Sequence, residues 1–211
     1  MILFDKLRKI FNYLKRIKTS RLLLSLMHNG YLIETGWLQN FSNRNPVDIN
    51  GDPIPWTTYS FIHFIKDYLK PEMELFEFGS GNSTLFFASL VDHVYTVEHD
   101  RKWFDKLKSR LPENSTAFFR DLDNGYETCI RETNKNFDVI FVDGRKRNKC
   151  IKTAVHCLKK DGILVLDDSE RSYYREGINF LLSHNFKKIE FWGISHRYFH
   201  NKATAVFYKT L

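Results

Sequence analysis

Residues 76–84 read FEFGSGNST: an apolar run breaks at Gly79 and Gly81, and Ser80, Asn82, Ser83 and Thr84 supply small hydroxyl and amide groups around the bend. Two glycines let a backbone turn tightly and let a ligand approach with no Cβ in the way. The next strand-like run, VYTVEHD, ends in Glu98, 19 residues after Gly79. That matches the ~20-residue offset at which an acid reaches the two hydroxyls of a ribose. A carboxylate accepts both hydroxyl protons, so the two features together point to recognition of a nucleoside. A phosphate fits poorly, because the turn lacks the Lys-Ser/Thr of a P-loop and Thr84 stands where a third glycine would admit a pyrophosphate. Glu77, just before the bend, brings a negative charge that repels an anion and suits a cation.

The elements that must hold these residues follow from periodicity. Strand-like runs at Leu75–Phe78, His93–Glu98, Thr116–Phe119, Phe137–Val142 and Gly162–Leu166 alternate with helix-like stretches at about Ser83–Leu90, Arg101–Leu111, Gly125–Thr133 and Asn148–Leu158. Continuous apolar strands separated by helices are the pattern of a parallel sheet covered on both faces. After a further helix at Glu176–His184, the strand-like runs Lys188–Ile194 and Thr204–Tyr208 are joined by the polar turn His196–Lys202 alone. So short a connection permits only an antiparallel pair, so the sheet should end in a hairpin. Upstream, Thr57–Leu69 reads as a helix, with Thr57 or Thr58 as N-cap and Pro71 as its stop.

In an open parallel sheet the ligand lies beyond the carboxyl ends of the strands. Asp143, Asp167 and Asp168 end the fourth and fifth runs there. Three hard oxygen ligands suit Mg²⁺ or Mn²⁺, which would acidify and orient a hydroxyl. Without a metal, Asp143 or Asp168 could take a hydroxyl proton directly. The bland alternative is that these acids cap helices and bind backbone at strand ends.

Together these motifs resemble class I S-adenosylmethionine-dependent methyltransferases over roughly residues 57–208: EFGSGNST as the first motif, with Ser83 in place of its last glycine, then VEHD, FRDLD, FDVIFVDGR and GILVLDDSE. The resemblance implies an α/β, Rossmann-like three-layer sandwich, its mostly parallel seven-stranded sheet closed by an antiparallel C-terminal hairpin. It implies S-adenosylmethionine as cofactor. Gly79, Ser80, Gly81, Ser83 and Thr84 would form its cradle, Glu77 would face the methionine cations, Glu98 would hold the ribose and Asp121 the adenine. Asp143 and Trp56 would complete the site, with Trp56 or Tyr59 closing over methionine or acceptor and Trp103 stacking on adenine or anchoring its helix. The acids at the strand ends are similar to those of cation-dependent O-methyltransferases, in which a lysine three residues past the first acid is the base, here Lys146. His196 and His200, on the hairpin turn, are further candidate bases, and Arg145 and Arg147 could orient an acidic acceptor. Where enzymes that methylate base amines carry an Asn- or Asp-Pro-Pro-aromatic signature, this chain reads VDGRKRN, which counts against a nucleic-acid base as acceptor. The stretch PIPWTTYSF resembles bacterial methyltransferases of undefined acceptor that suggest surface-carbohydrate pathways. The expectation is methylation of a hydroxyl on a saccharide or other small polar acceptor. N-methylation of a protein or amine metabolite, a non-catalytic cofactor-binding subunit of a polysaccharide assembly, and nucleic-acid binding remain the alternatives.

Charge is distributed unevenly. Of the 211 residues and net charge of +7, residues 1–21 hold seven basic side chains against Asp5, while the remaining 190 hold 25 basic and 24 acidic ones. A nucleic-acid footprint would therefore be confined to the N-terminus. There Leu3, Leu7, Ile10, Leu14 and Ile17 recur at helical spacing, which describes a basic amphipathic helix that packs on its own domain or a partner, or lies on an anionic membrane. The organisation expected is a basic helical extension over 1–40, a loop over 41–56 rich in Asn, Asp, Gly and Pro, and the catalytic domain over 57–211. Cys129, Cys150 and Cys157 have no CxxC spacing and cannot all pair, which suits a reducing compartment. With no apolar run of ~20 residues and no secretory h-region, a cytoplasmic location is expected, with residues 1–21 as a means of peripheral contact with the inner membrane face.

Overall fold

Apolar side chains alternate along the central strands. Phe76, Phe78, Ile140, Val142, Leu164 and Leu166 enter one core, while Leu75, Val139, Phe141, Ile163 and Val165 enter a second on the opposite face. A strand buried on both sides at a period of two needs helices above and below it. The computed structural model of the chain describes residues 2–14, 17–42 and 44–210. Helices α1 (Ile2–Leu14), α2 (Ile17–His28) and α3 (Tyr31–Glu34) lead to α4 (Tyr59–Tyr68). Strands and helices then alternate: β1 (Glu74–Phe78), α5 (Asn82–Ala88), β2 (His93–Glu98), α6 (Arg101–Lys108), β3 (Ser115–Phe119), α7 (Cys129–Glu132), β4 (Phe137–Val142), α8 (Arg147–Ala154) and β5 (Leu158–Asp167). The chain ends with α9 (Arg175–Ser183), β6 (Lys187–Ser195) and β7 (Tyr198–Tyr208).

The seven strands form one sheet in the order β3-β2-β1-β4-β5-β7-β6. Strands β1 to β5 pair in parallel, and β7 runs antiparallel to both β5 and β6. The order reverses between β1 and β4, so the bend after β1 opens at the crevice where ligands bind in such sheets.

Two expectations need adjustment. The hairpin turn is not His196–Lys202 but the two residues His196 and Arg197, with Arg197 at φ 64, so that Tyr198–Lys202 belong to β7. The third crossover keeps only the four-residue helix α7. Trp37 and Ile54 pack on the body: both are buried in the second core, and the Trp37 indole Nε1 donates to the Ser195 carbonyl at 2.9 Å. The expected apolar stripe of the first helix is followed only in part, because Lys15 and Arg16 lie outside the described residues, as do the side chains of Leu3, Leu14 and Ile17.

Candidate active site

Gly79 leaves β1 at φ +92, and a Cβ there would lie 2.8 Å from Cα of Gly144, the residue after Asp143 in VDGR. Gly144 is equally constrained, because a Cβ on it would meet the Tyr126 hydroxyl. The bends after β1 and β4 therefore touch backbone to backbone, which leaves the floor of the crevice free of side chains. Gly81 is different: at φ 177 its backbone is extended, and its nearest neighbours to a Cβ are Ser83 and Trp103, both at 4.0 Å.

Beneath this loop Glu77 is fully buried. It accepts hydrogen bonds from the Ser83 and Thr84 hydroxyls, and Thr84 Oγ1 in turn accepts from the Gly81 amide at 3.0 Å. Burial pushes the Glu77 carboxyl up to about 8, with the two hydroxyl bonds opposing that rise. Ser83 in place of a glycine is thus explained by its bond to this acid. Glu77 does not line the cleft expected to face the methionine cations; it braces the first turn of α5 from below.

Glu98, at the end of β2, does line the cleft. Its Oε2 accepts from the Ser80 amide and hydroxyl, both at 3.2 Å, and its Oε1 from the amides of His99 at 2.7 Å and Asp100 at 2.8 Å. The predicted juxtaposition of glycine bend and acid is present, and the Ser80 hydroxyl makes the bond to Oε2 that a ribose hydroxyl would make. The Trp103 indole Nε1 donates to the Ser80 carbonyl at 2.7 Å, so this ring both anchors α6 and walls the cleft. The cleft, about 340 Å³, is further lined by Trp56, Ser83, His99, Asp143, Gly144 and Arg145. Asp121 is not part of the lining: it is exposed after β3. A backbone floor, a carboxylate bound mostly by amides and flanking aromatic rings form a donor set that fits an adenosine cofactor.

A second cleft of about 190 Å³ shares Trp56, Asp143 and Arg171 with the first and adds Asp167, Asp168, Tyr198 and Lys202. The three carboxylates converge as expected, with one oxygen of each within 4.8 Å of the others. Their partners were not anticipated. Buried Lys202 places Nζ 2.8 Å from Asp167 and 2.9 Å from Asp168. Arg147, also buried, donates to Asp143 Oδ1 at 2.8 Å and lies 3.5 Å from Asp168, and Arg171 reaches Asp168 at 3.0 Å. Asp167 additionally accepts from the Thr204 hydroxyl at 2.7 Å. Three acids are matched by three cations, and Lys202 bridges the pair that would have to chelate. A divalent ion would need to expel a buried ammonium, so the metal expected at Asp143, Asp167 and Asp168 does not fit the residues present.

The acids differ in basicity. Burial raises Asp143, with Arg147 opposing and Asp167 adding to the rise, and leaves it at about 7. Burial also pulls Asp168 upward, but Lys202, Arg147 and Arg171 more than offset it and hold that carboxyl low. Asp168 stands at φ 55, a left-handed conformation that asparagine and aspartate tolerate better than most residues.

Two candidate bases lie elsewhere. Lys146 directs Nζ to the Leu122 carbonyl and to Asp123, at 3.0 Å, on the loop after β3 and away from the carboxylates. His196 is buried behind Trp56, which donates from Nε1 to its carbonyl at 2.8 Å, and it lines neither cleft. His200 is exposed and lines neither cleft. Arg147 lines the first cleft but is a clamp across the ends of β4 and β5, bonded to the Asp143, Gly144 and Asp167 carbonyls, whereas Arg145 lines the cleft without such ties to β5. Tyr59 faces the second core.

The sheet order, the terminal hairpin and the glycine-acid crevice define a class I methyltransferase fold. Residues 76–169 match a family profile described as a methyltransferase domain. No curated protein sequence matches the chain. Among solved structures, the chain is similar to a candidate O-methyltransferase from Klebsiella pneumoniae, with TM-score 0.60, 13% identity, and 94% of this chain and 99% of that one covered. It is also similar to an rRNA methylase from Streptococcus thermophilus, with TM-score 0.56, 19% identity and coverage of 71% and 93%. A candidate methyltransferase from Streptococcus mutans in complex with SAH aligns with TM-score 0.54, 12% identity and coverage of 74% and 99%. At such identities the likeness is one of fold.

Proposed function

We propose that the chain transfers a methyl group from S-adenosylmethionine to a hydroxyl of a saccharide or another small polar acceptor, without a divalent metal. The observation that carries this reading is the meeting of two clefts at Asp143, a carboxylate whose proton affinity sits near neutrality. The likeness to a candidate O-methyltransferase and to a structure in complex with SAH supports it. S-adenosylmethionine supplies an electrophilic methyl when bound. Gly79, Ser80, Gly81 and Ser83 would hold it from below, Glu98 would accept its ribose hydroxyls, and Trp103 would cover its base. Trp56, which walls both clefts, would separate cofactor from acceptor and exclude water. Asp143 takes the hydroxyl proton, a step suited to a base whose pKa is close to the working pH. Asp167 and Asp168, neutralised by Lys202, shape the acceptor side rather than move protons.

Titration calorimetry with S-adenosylhomocysteine tests the cofactor, and release of that product from S-adenosylmethionine across a panel of uronic acids, hexoses and catechols tests the acceptor. Asp143→Asn should lower turnover by ~10²–10⁴ while cofactor affinity is retained, and the rising limb of the pH profile near 7 should disappear. Turnover should survive EDTA. A full loss of activity on chelation, restored by Mg²⁺, would overturn the metal-free mechanism.

A further inference from the structure

We propose that α1 and α2 seat the protein on an anionic membrane surface. Nine of the eighteen large apolar side chains that are exposed among the described residues belong to these two helices. Phe4, Leu7 and Ile10 on α1 are 81%, 54% and 56% exposed, and Leu22, Leu24 and Met27 on α2 are 60%, 56% and 59% exposed. On a helical projection of α1 these apolar positions fill one arc, with Lys6 at one margin, Arg8 at the other and Lys9 opposite. Basic side chains flanking an apolar stripe can extend their stems along it and place their charges among headgroups.

Charge complementarity selects the occupant. Residues 1–21 hold seven basic side chains against one acid, whereas the other 190 residues are balanced to within one charge. A neutral apolar partner would not use that excess. An anionic lipid surface would, each Lys or Arg near it being worth about fivefold in partitioning. Neither helix can go further in, because no helix among the described residues is long and apolar enough to cross a membrane. The seat also bears on the catalytic side of the molecule. Nine residues after α2 ends, Trp37 is fastened to the hairpin at the Ser195 carbonyl, with its ring edge-on to Phe199 at 4.5 Å. Tyr198 of the same hairpin lines the second cleft.

The test is sedimentation of the full chain with vesicles of phosphatidylcholine containing ~30% phosphatidylglycerol, against phosphatidylcholine alone, with sedimentation equilibrium without lipid alongside. It reads binding with no acceptor present, so its outcome is independent of the methyl-transfer reading. Partitioning into the anionic vesicles should be at least ~tenfold stronger and should fall by a similar factor at ~0.5 M salt, where the Debye length is roughly halved. The triple variant Leu7→Glu, Ile10→Glu, Leu24→Glu should lose binding while its thermal unfolding is unchanged. Equal partitioning into both vesicle types, or no sedimentation with either, would overturn the proposal, as would a stable dimer that the triple variant dissociates and that does not sediment with lipid.

Discussion

Gly79 sits at φ +92 with Gly144 pressed against it, whereas Gly81, at φ 177, uses an extended backbone open to any residue. The pair GxG reads as one motif, but its members do different work. Gly79→Ala would force a Cβ to 2.8 Å from backbone, in a conformation that alone costs on the order of 1–3 kcal/mol for a side-chain-bearing residue. We expect a lower urea midpoint and loss of S-adenosylhomocysteine binding together. Gly81→Ala meets nothing closer than 4.0 Å, so its melting temperature should match wild type; equal destabilisation of the two variants would refute the distinction. Lys202 shows where residue-level reading stops. It lies in the polar stretch HRYFHNK, which has the composition of a turn, and its carboxylate partners are 35 and 34 positions upstream. No local pattern marks such a residue, so the three acids were legible and the cation that neutralises two of them was not.

At the scale of elements, strands β1, β2 and β4 were legible because each is a short, mostly apolar run that is largely buried on both faces. What escaped was where tertiary pairing overrides polarity. The first residues of β5, LKKDG, and of β7, YFHN, are largely exposed yet paired or extended as strand, since a strand continues wherever a neighbour offers hydrogen bonds. The start of α4 was legible for a local reason and matters for a distant one. Thr58 Oγ1 accepts from the Phe61 amide at 3.4 Å as N-cap and donates to the Phe191 carbonyl of β6 at 3.0 Å, and the Thr58 amide donates to Thr204 Oγ1 at 3.4 Å. Thr204 in turn binds Asp167, so the cap links α4 to the acceptor-side carboxylates. Thr58→Ala removes the cap and the tie from α4 to β6, for a cost of about 1–2 kcal/mol, and Thr58→Ser should recover most of it. Full stability of the alanine variant in urea would show that the link carries no weight.

Across the whole molecule, two buried carboxyls set how stability responds to pH. Glu77 rises from an ordinary value of 4.5 to about 8, chiefly through burial, and Asp143 from 3.8 to about 7 for the same reason. Between those limits the native state holds protons that the unfolded chain has released, so the unfolding free energy falls as pH rises. One proton held throughout such a window is worth about 1.4 kcal/mol per pH unit. Glu77, wholly enclosed, should contribute most, and Asp143 less, because a quarter of its side chain is exposed. His93 acts in the opposite sense, since burial lowers its pKa and favours the neutral ring as pH passes 6.5, but it is only partly covered. The stabilising shifts at Asp168, held low, and Lys202, held high, are complete below and above this window and leave the slope unchanged. The urea midpoint should therefore be higher at pH 5.5 than at pH 8.0, and Glu77→Gln, which cannot ionise, should flatten most of that difference. A wild-type midpoint that is constant or rises over this range would mean that the acid under the glycine loop is already ionised at neutral pH, and that Ser83 and Thr84 hold a carboxylate there rather than a carboxylic acid.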